Sequence, residues 1–417
     1  MNILWITNIL LPEAQALLKG GGEHKGSGGW MIGAVESLLR HNDITLSIAT
    51  VSLDVKTLTR LEGEKITYWL LPYGKGNTRI NHEYEPYWRS VYDSVKPDVI
   101  HIHGTEYSHG LAFIEACGAS HACVSIQGLT SAYYYYCYGI SWKEILRSIT
   151  VGTLYWGGIL KGYREYKSRG KCEVEIIRRV NHIIGRTSWD RARTWAINPY
   201  AVYHHGGETL RASFYTGKTW QYSECLPHSI FLSQASSPIK GLHMVLRAMP
   251  LVLRHYPDAT IRIAGRDITN CSTWKHRLML NDYGKLIRKL IRDNGLEGKV
   301  IFTGPLDGEG MRSEYLRSNV FVCPSTIENS PNSLGEAQLL GVPVIASYVG
   351  GIPDMMKYDV DHLYRFEEVE MLARKIVELF DKQDTVDTEA MRLEALRRHD
   401  PETNAKELIE IYNEVNQ

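Results

Sequence analysis

The sequence predicts an α/β protein built as two doubly wound, Rossmann-like domains, and three observations carry that prediction. A chain of 417 residues exceeds what one ordinary core organises, so two domains of about 200 residues are expected. Short apolar, β-branched runs alternate with amphipathic helical patterns from end to end, as in parallel sheets covered by helices on both faces. The strand series then occurs twice, on either side of a Gly-, Thr- and Ser-rich stretch at 203–228.

In chain order, the first-half strands are NILWIT (2–7), TLSIATV (45–51), ITYWLL (66–71), DVIHIH (98–103), CVSIQ (123–127) and HIIGR (182–186). The second half offers SIFLSQ (229–234), TIRIAG (260–265), VIFTG (300–304), VFVCP (320–324) and VPVIAS (342–347). Helical periodicity fills the gaps, notably over 241–256 and, as one expected helix, over 274–295. Pro401 follows Asp400 in an N-capping arrangement and opens a last helix. The expected domains are therefore 1–205 and 206–400, with 401–417 packing back on the first. Ligands of such sheets bind outside the carboxyl ends of the strands.

Composition narrows the function. Lys plus Arg and Asp plus Glu each number 47, a formal net charge of zero. The pI is about 7.3. A nucleic-acid binder normally carries a basic excess, so nucleic acid is not an expected partner. The seven cysteines (117, 123, 137, 172, 225, 271 and 323) form no CxxC pair and no zinc-ligand spacing. Such a scattered, odd set predicts reduced thiols in a cytoplasm. The opening MNILWITNIL has no basic n-region and reads as a first strand rather than a leader. The longest uncharged run, 122–142, is too rich in Ser, Gln, Thr, Gly and Tyr to span a bilayer.

The most unusual chemistry lies in ENSPNSLGEAQLLGVPVIASYVGGIPD, residues 328–354. VFVCPS delivers the chain to the carboxyl end of a strand, and a helix is expected to start near Ser333. The first-turn amides of a helix lack intrahelical partners and carry partial positive charge, which suits a diphosphate. Gly335 allows close approach of a ligand, and Glu336 offers a carboxylate to a vicinal diol. Ser333 to Glu336, and Ser325 to Glu328, also have capping-box spacing. From those residues alone the capping reading is the better one; the wider context reverses it.

The wider context resembles a known family. Glu328 and Glu336, eight apart and followed by LLGVPVIASYVGGIPD, resemble the Glu-x7-Glu signature of glycosyltransferase family 4, retaining enzymes of the GT-B fold. The resemblance continues through SSPIKGLHMVLRAMPLVLRHYPDATIRIAG (236–265) and GPLDGEGMRSEYLRSNVFVCPS (304–325), so it covers nearly the whole second half. It implies that Glu336 holds the donor ribose and that Glu328 faces the donor sugar. Asn332, Ser333, Leu334 and Gly335 would contact sugar and phosphate, and Lys240 would neutralise the diphosphate. A positioned ammonium plus helix amides can stabilise a departing nucleoside diphosphate without a metal. No metal and no cofactor beyond a nucleotide-diphosphate sugar, UDP by expectation, is therefore implied. Where the family usually has an Arg about six residues before the Lys, this chain has Gln234. Either Lys240 and the amides carry the charge with less help, or Arg266 reaches in.

In the first half, KGGGEHKGSGGW (19–30) fits neither a phosphate-binding loop nor a clean GxGxxG. The family's glycine pair, which closes over the donor phosphates, matches Gly28 and Gly29. His103, Gln127 and Glu106 are the expected acceptor-side residues, and His101 is read as a core histidine. Gln127 stands where many family members carry a His; Gln cannot act as a base, so it is assigned to binding. Over 143–193 twelve Lys/Arg stand against five Asp/Glu, interleaved with aromatic and aliphatic residues. Two readings of 132–193 remain open: a surface for anionic lipid, or core-packing helices with a solvated basic edge. The expected activity is retaining, metal-independent transfer of a sugar to a glycan or lipid-linked glycan, in the cytoplasm or at the inner face of the cell membrane. Alternatives are an epimerase or phosphorylase on the same scaffold, or a catalytically impaired sugar-nucleotide-binding protein.

Overall fold

A computed structural model describes residues 1–20, 29–41, 43–72, 82–136 and 138–417. Gly28 lies outside the described residues. The chain forms two compact units, one of Met1–Tyr134, Glu165–Arg211 and Arg398–Gln417, the other of Tyr135–Arg164 and Ala212–Arg397.

The first unit is built on eight strands: β1 (Asn2–Thr7), β2 (Thr45–Ser52), β3 (Thr59–Glu62), β4 (Ile66–Pro72), β5 (Val99–His103), β6 (Ala122–Ser125), β7 (His182–Gly185) and β8 (Val202–His205). Their order is β3-β4-β2-β1-β5-β6-β7-β8, parallel except for the β3–β4 pair. In β1, Ile3, Leu4, Trp5 and Ile6 are all buried, because helices cover both faces of a parallel sheet. Sequence order reverses between β1 and β5, so the loops after these two strands flank the switch point. The helix Pro401–Val415 packs on this unit. Its Tyr412 hydroxyl lies 2.9 Å from Trp5 Nε1 and 2.7 Å from His101 Nδ1.

The second unit holds β9 (Ser229–Leu232), β10 (Thr260–Ala264), β11 (Val300–Gly304), β12 (Val320–Cys323), β13 (Val344–Ser347) and β14 (Leu363–Tyr364). The order β11-β10-β9-β12-β13-β14, all parallel, is the 3-2-1-4-5-6 order of dinucleotide-binding sheets. Ile230, Leu232, Val245, Ile261, Ile263, Val320, Val322 and Ile345 fill its core. The helix Leu242–His255 tolerates Pro250 because the Leu246 carbonyl, which Pro250 cannot serve, accepts from Asn294 Nδ2 at 3.1 Å.

Two expectations need correction. The helix expected over 274–295 is two, Trp274–Met279 and Asp282–Asp293, because Asn281 caps the second by accepting from the Gly284 amide at 2.8 Å. Residues 135–164, counted with the first domain in sequence order, belong to the second unit. Their polar groups find partners there. Arg247 donates to the Gly139 carbonyl at 2.7 Å and to Glu144 at 2.8 Å, and His243 Nε2 bonds to the Tyr138 carbonyl. Asp282 accepts from the Ile159 amide at 3.0 Å, and Thr150 donates to the Leu280 carbonyl at 2.5 Å. Among the described residues, no helix is long and apolar enough to cross a membrane.

Candidate functional site

The strand order of the second unit reverses between β9 and β12, and ligands of open α/β sheets bind at such a point. After β9 the chain makes a 3-10 turn, Pro238–Lys240, and enters the helix Leu242–His255 through Gly241 at φ +73°. After β12 it loops through 324–331 into the helix Asn332–Leu340. The two loops are tied together. The Thr326 amide donates to the Ile239 carbonyl at 2.8 Å, and a Cβ on Gly241 would overlap the Pro324 carbonyl.

This arrangement sets Lys240 Nζ 2.6 Å from Glu328 Oε1, with the Ser325 hydroxyl donating to the same oxygen at 2.8 Å. Both charged side chains are largely sheltered, 29% and 12% exposed, so each needs the other or a ligand to offset lost hydration. The Glu328 carbonyl accepts from the Gly351 amide at 3.1 Å, and Gly350, at φ +52°, lies so close that a Cβ there would overlap this carbonyl. The Gly-Gly of YVGGIPD therefore positions Glu328. Ser347 completes the support by donating to the Ser325 carbonyl at 2.6 Å.

Glu336 is buried in the next helix. The Tyr315 hydroxyl donates to the Ser333 carbonyl at 2.9 Å and lies 3.4 Å from Glu336 Oε2. Neither suspected capping box forms. Pro331 is the N-cap residue of this helix, which starts at Asn332, so Ser333 already lies inside it. Ser325 pairs with Glu328 side chain to side chain. The Leu334 and Gly335 amides donate to the Pro331 carbonyl, at 2.9 and 3.3 Å. The Asn332 and Ser333 amides precede any intrahelical acceptor, which leaves them to a ligand or water. Asn332 Oδ1 is buried without a partner among the described residues, whereas the Leu334 side chain is wholly inside the core. Arg266, beyond β10, is exposed and makes no hydrogen bond or ion pair among the described residues, and Gln234 is exposed as well. The structure thus brings together Lys240, Glu328 and Ser325 but not Arg266.

In the first unit the loop after β5 carries Glu106 at the switch point, and the loop after β1 leads into the helix Pro12–Lys19, with the helix Gly29–Leu38 next among the described helices. His101 is a core histidine, as expected. It bonds to Tyr412 and to Ser125 Oγ (2.5 Å), and burial lowers its pKa to about 3. The His103 ring packs, tilted, against His101 at 3.7 Å and Trp5 at 4.2 Å between centroids, and burial likewise keeps it neutral. Its ring lines a small pocket with Gln127, Arg186, Glu208, Thr209 and Asn404. Gln127 Nε2 and Asn404 Nδ2 are buried there without partners among the described residues, so the pocket offers donors. Arg186 is held by Glu208, at 3.2 and 3.3 Å. Glu106 folds over Gly104 (φ +88°) beside Gln127. Part of the residue reaches solvent, yet its Oε2 is buried without a partner among the described residues, and burial pushes the carboxyl up to about 7. Sequence reasoning did not find Tyr315, Ser347, Glu208 or Asn404, whose proximity arises only from the fold.

The basic segment is divided by the structure. In 165–193, Arg169, Arg178, Arg179 and Arg186 meet Glu165, Glu175, Glu115 and Glu208, and the buried Asp190, three residues after the N-cap Thr187 in a capping box, also accepts from the Arg186 amide. That portion packs into the first unit's core and carries a basic edge in which these four arginines are paired. In 142–160, large apolar side chains point outward. Among the described residues, no group of three or more His, Cys, Asp or Glu converges as metal ligands.

Residues 227–382 match the family model described as Glycosyl transferases group 1. An uncharacterized glycosyltransferase of Methanocaldococcus jannaschii is 29% identical over 125 residues, 30% of this chain and 28% of that protein. A GDP-mannose-dependent monoacylated alpha-(1-6)-phosphatidylinositol monomannoside mannosyltransferase of Corynebacterium glutamicum is 28% identical over 151 residues, 34% of this chain and 35% of that protein. The matches thus span about a third of the relatives' length. Among solved structures, sucrose-phosphate synthase from Thermosynechococcus elongatus superposes with a TM-score of 0.68 at 15% identity, over 99% of this chain and 98% of that one. Anabaena HepE in complex with UDP gives 0.63 at 14% identity, over 99% and 100%. The chain has the GT-B fold of two Rossmann-like domains.

Proposed function

We propose that this protein is a glycosyltransferase that moves a sugar from a nucleotide-diphosphate donor to an acceptor hydroxyl with retention of anomeric configuration. The observation that carries the reading is the Lys240–Glu328 pair at the switch point of a 3-2-1-4-5-6 sheet, beside a helix start with a buried Glu336. In this reading the Lys240 ammonium turns from Glu328 toward the diphosphate. With the Asn332 and Ser333 amides it stabilises the charge that develops as the bond from the anomeric carbon to phosphate oxygen breaks. Glu336 accepts hydrogen bonds from the ribose hydroxyls. Glu328, released from Lys240, accepts from a hydroxyl of the sugar. The acceptor oxygen bonds to the anomeric carbon, and its proton passes to the departing phosphate oxygen, so no protein base is required. His103, Gln127 and Glu106 serve the acceptor, a glycan or lipid-linked glycan, and this charge stabilisation needs no metal.

A uridine diphosphate sugar is the favoured donor, supported by the UDP and UDP-glucose complexes of HepE. A thermal-shift screen with uridine, guanosine and adenosine diphosphates and their sugars tests it. The expected result is stabilisation by one nucleotide and slow donor hydrolysis; no stabilisation by any of them overturns the reading. The exposed positions of Gln234 and Arg266 favour a second reading, a sugar-nucleotide binder without turnover, because Lys240 would then meet the diphosphate without help from either. Tight nucleotide binding with no donor hydrolysis would select it.

A further inference from the structure

Exposed large apolar side chains concentrate on one part of the second unit. The helix Trp142–Ser148 buries Ile145 and turns Trp142 and Leu146 outward. The helix Val151–Trp156 presents Leu154 (79% exposed), Tyr155 (82%) and Trp156 (64%). The helix Trp274–Met279 has no buried residue and exposes Trp274 (67%). These helices are neighbours. Gly152 packs on the Leu278 and Leu280 carbonyls, Thr150 bonds to the Leu280 carbonyl, and Lys285 donates to the Ile149 carbonyl at 3.1 Å. Soluble proteins seldom leave so many adjoining large apolar groups in water without a partner.

The charges around this surface identify the partner. Residues 142–164 and 274–279 hold Lys143, Arg147, Lys161, Arg164, Lys275 and Arg277 against one acid, Glu144, a net charge of 6 − 1 = +5. Glu144 is already engaged by Arg247 at 2.8 Å. A second copy of this chain would set identical basic rims against each other, at a cost in repulsion. Nucleic acid fits the cations but leaves Leu146 and Leu154 without apolar burial. We propose that this face docks on an anionic lipid surface, its aromatic and aliphatic side chains entering the headgroup boundary and its Lys and Arg rim meeting lipid phosphates. The inference stands on the surface alone and does not depend on the sugar-transfer reading.

The test uses the full chain in flotation with vesicles of phosphatidylcholine, with or without about 30% phosphatidylglycerol, at low salt and at about 0.5 M, where surface charges are screened. Flotation only with anionic vesicles, lost at high salt, is expected. Lys275→Glu with Arg277→Glu lowers the bound fraction at least about tenfold, and Leu154→Ser with Tyr155→Ser lowers it further. Equal flotation with neutral vesicles, none with anionic ones, or a charge variant that binds like the wild type overturns the proposal. So does a dimer in sedimentation that Leu154→Ser with Tyr155→Ser dissociates, or retention of single-stranded DNA in place of lipid. Wild-type lipid and salt dependence is decisive even where a variant fails to fold, and the nucleotide thermal shift reports the donor site separately.

Discussion

Gly350→Ala tests how the Gly-Gly of YVGGIPD, 22 residues on in sequence, controls Glu328, and its size follows from two separable costs. Gly350 has φ +52°, where an L side chain is strained by about 1–2 kcal/mol. A Cβ there also overlaps the Glu328 carbonyl, which must yield and loosen its 3.1 Å bond from the Gly351 amide, a further loss of about 0.5–1.5 kcal/mol. Gly295→Ala is the control. Its φ of +64° carries the same strain, but nothing lies within 4 Å of its Cβ direction. The second unit holds 30 + 186 = 216 residues, a size at which 1 kcal/mol moves Tm by about 2–4 °C. Calorimetry should therefore show a loss of about 5 °C for Gly295→Ala and about 9 °C for Gly350→Ala. The larger contrast is in turnover. Displacing the Glu328 carboxylate by about 1 Å lowers donor-sugar transfer or hydrolysis about a hundredfold, while Gly295→Ala leaves the rate unchanged. Equal turnover in the two variants would refute the claim that Gly350 positions Glu328.

Lys240→Ala removes the switch-point cation paired with Glu328, and steady-state kinetics should show turnover reduced at least about tenfold. Glu336→Ala should raise the nucleotide Kd in calorimetric titration while the variant stays folded, because the carboxylate serves binding more than the bond change. Glu106 gives a pH signature. Its folded carboxyl titrates near 7 against a usual 4.5, raised first by burial. The native state therefore binds the extra proton, and stability falls as pH rises from 4.5 to 7, by about 3 kcal/mol for this one group. Glu106→Gln should melt higher than the wild type at pH 8 and match it at pH 4; a pH-independent difference would reject the buried carboxyl.

The core strands were legible because doubly buried parallel strands read as continuous apolar runs: all eleven expected strands form. The strands that escaped notice lack that signal. β3, TRLE, is an antiparallel edge with alternate residues in solvent; β8, VYHH, borders the sheet; β14 is two residues long. The break between Met279 and Asp282 escaped because Asn281 caps through its side chain, a preference that apolar periodicity does not weigh. At the site, the sequence displays residues that act through local spacing, such as Glu328, Glu336 and Lys240. It hides supports that act across the fold: Gly350 lies 22 positions from the carbonyl it packs against, and Ser347 the same distance from Ser325. The same limit explains 135–164. Arg247 and His243 look like ordinary helix residues, and only the folded unit shows that they answer the polar groups of a segment about a hundred residues earlier. An aromatic stretch that is neither a core strand nor a paired helix in its own half must find its partners elsewhere. Here its polar groups and Ile145 find them on the second unit, while Trp142, Leu146, Leu154, Tyr155 and Trp156 face outward.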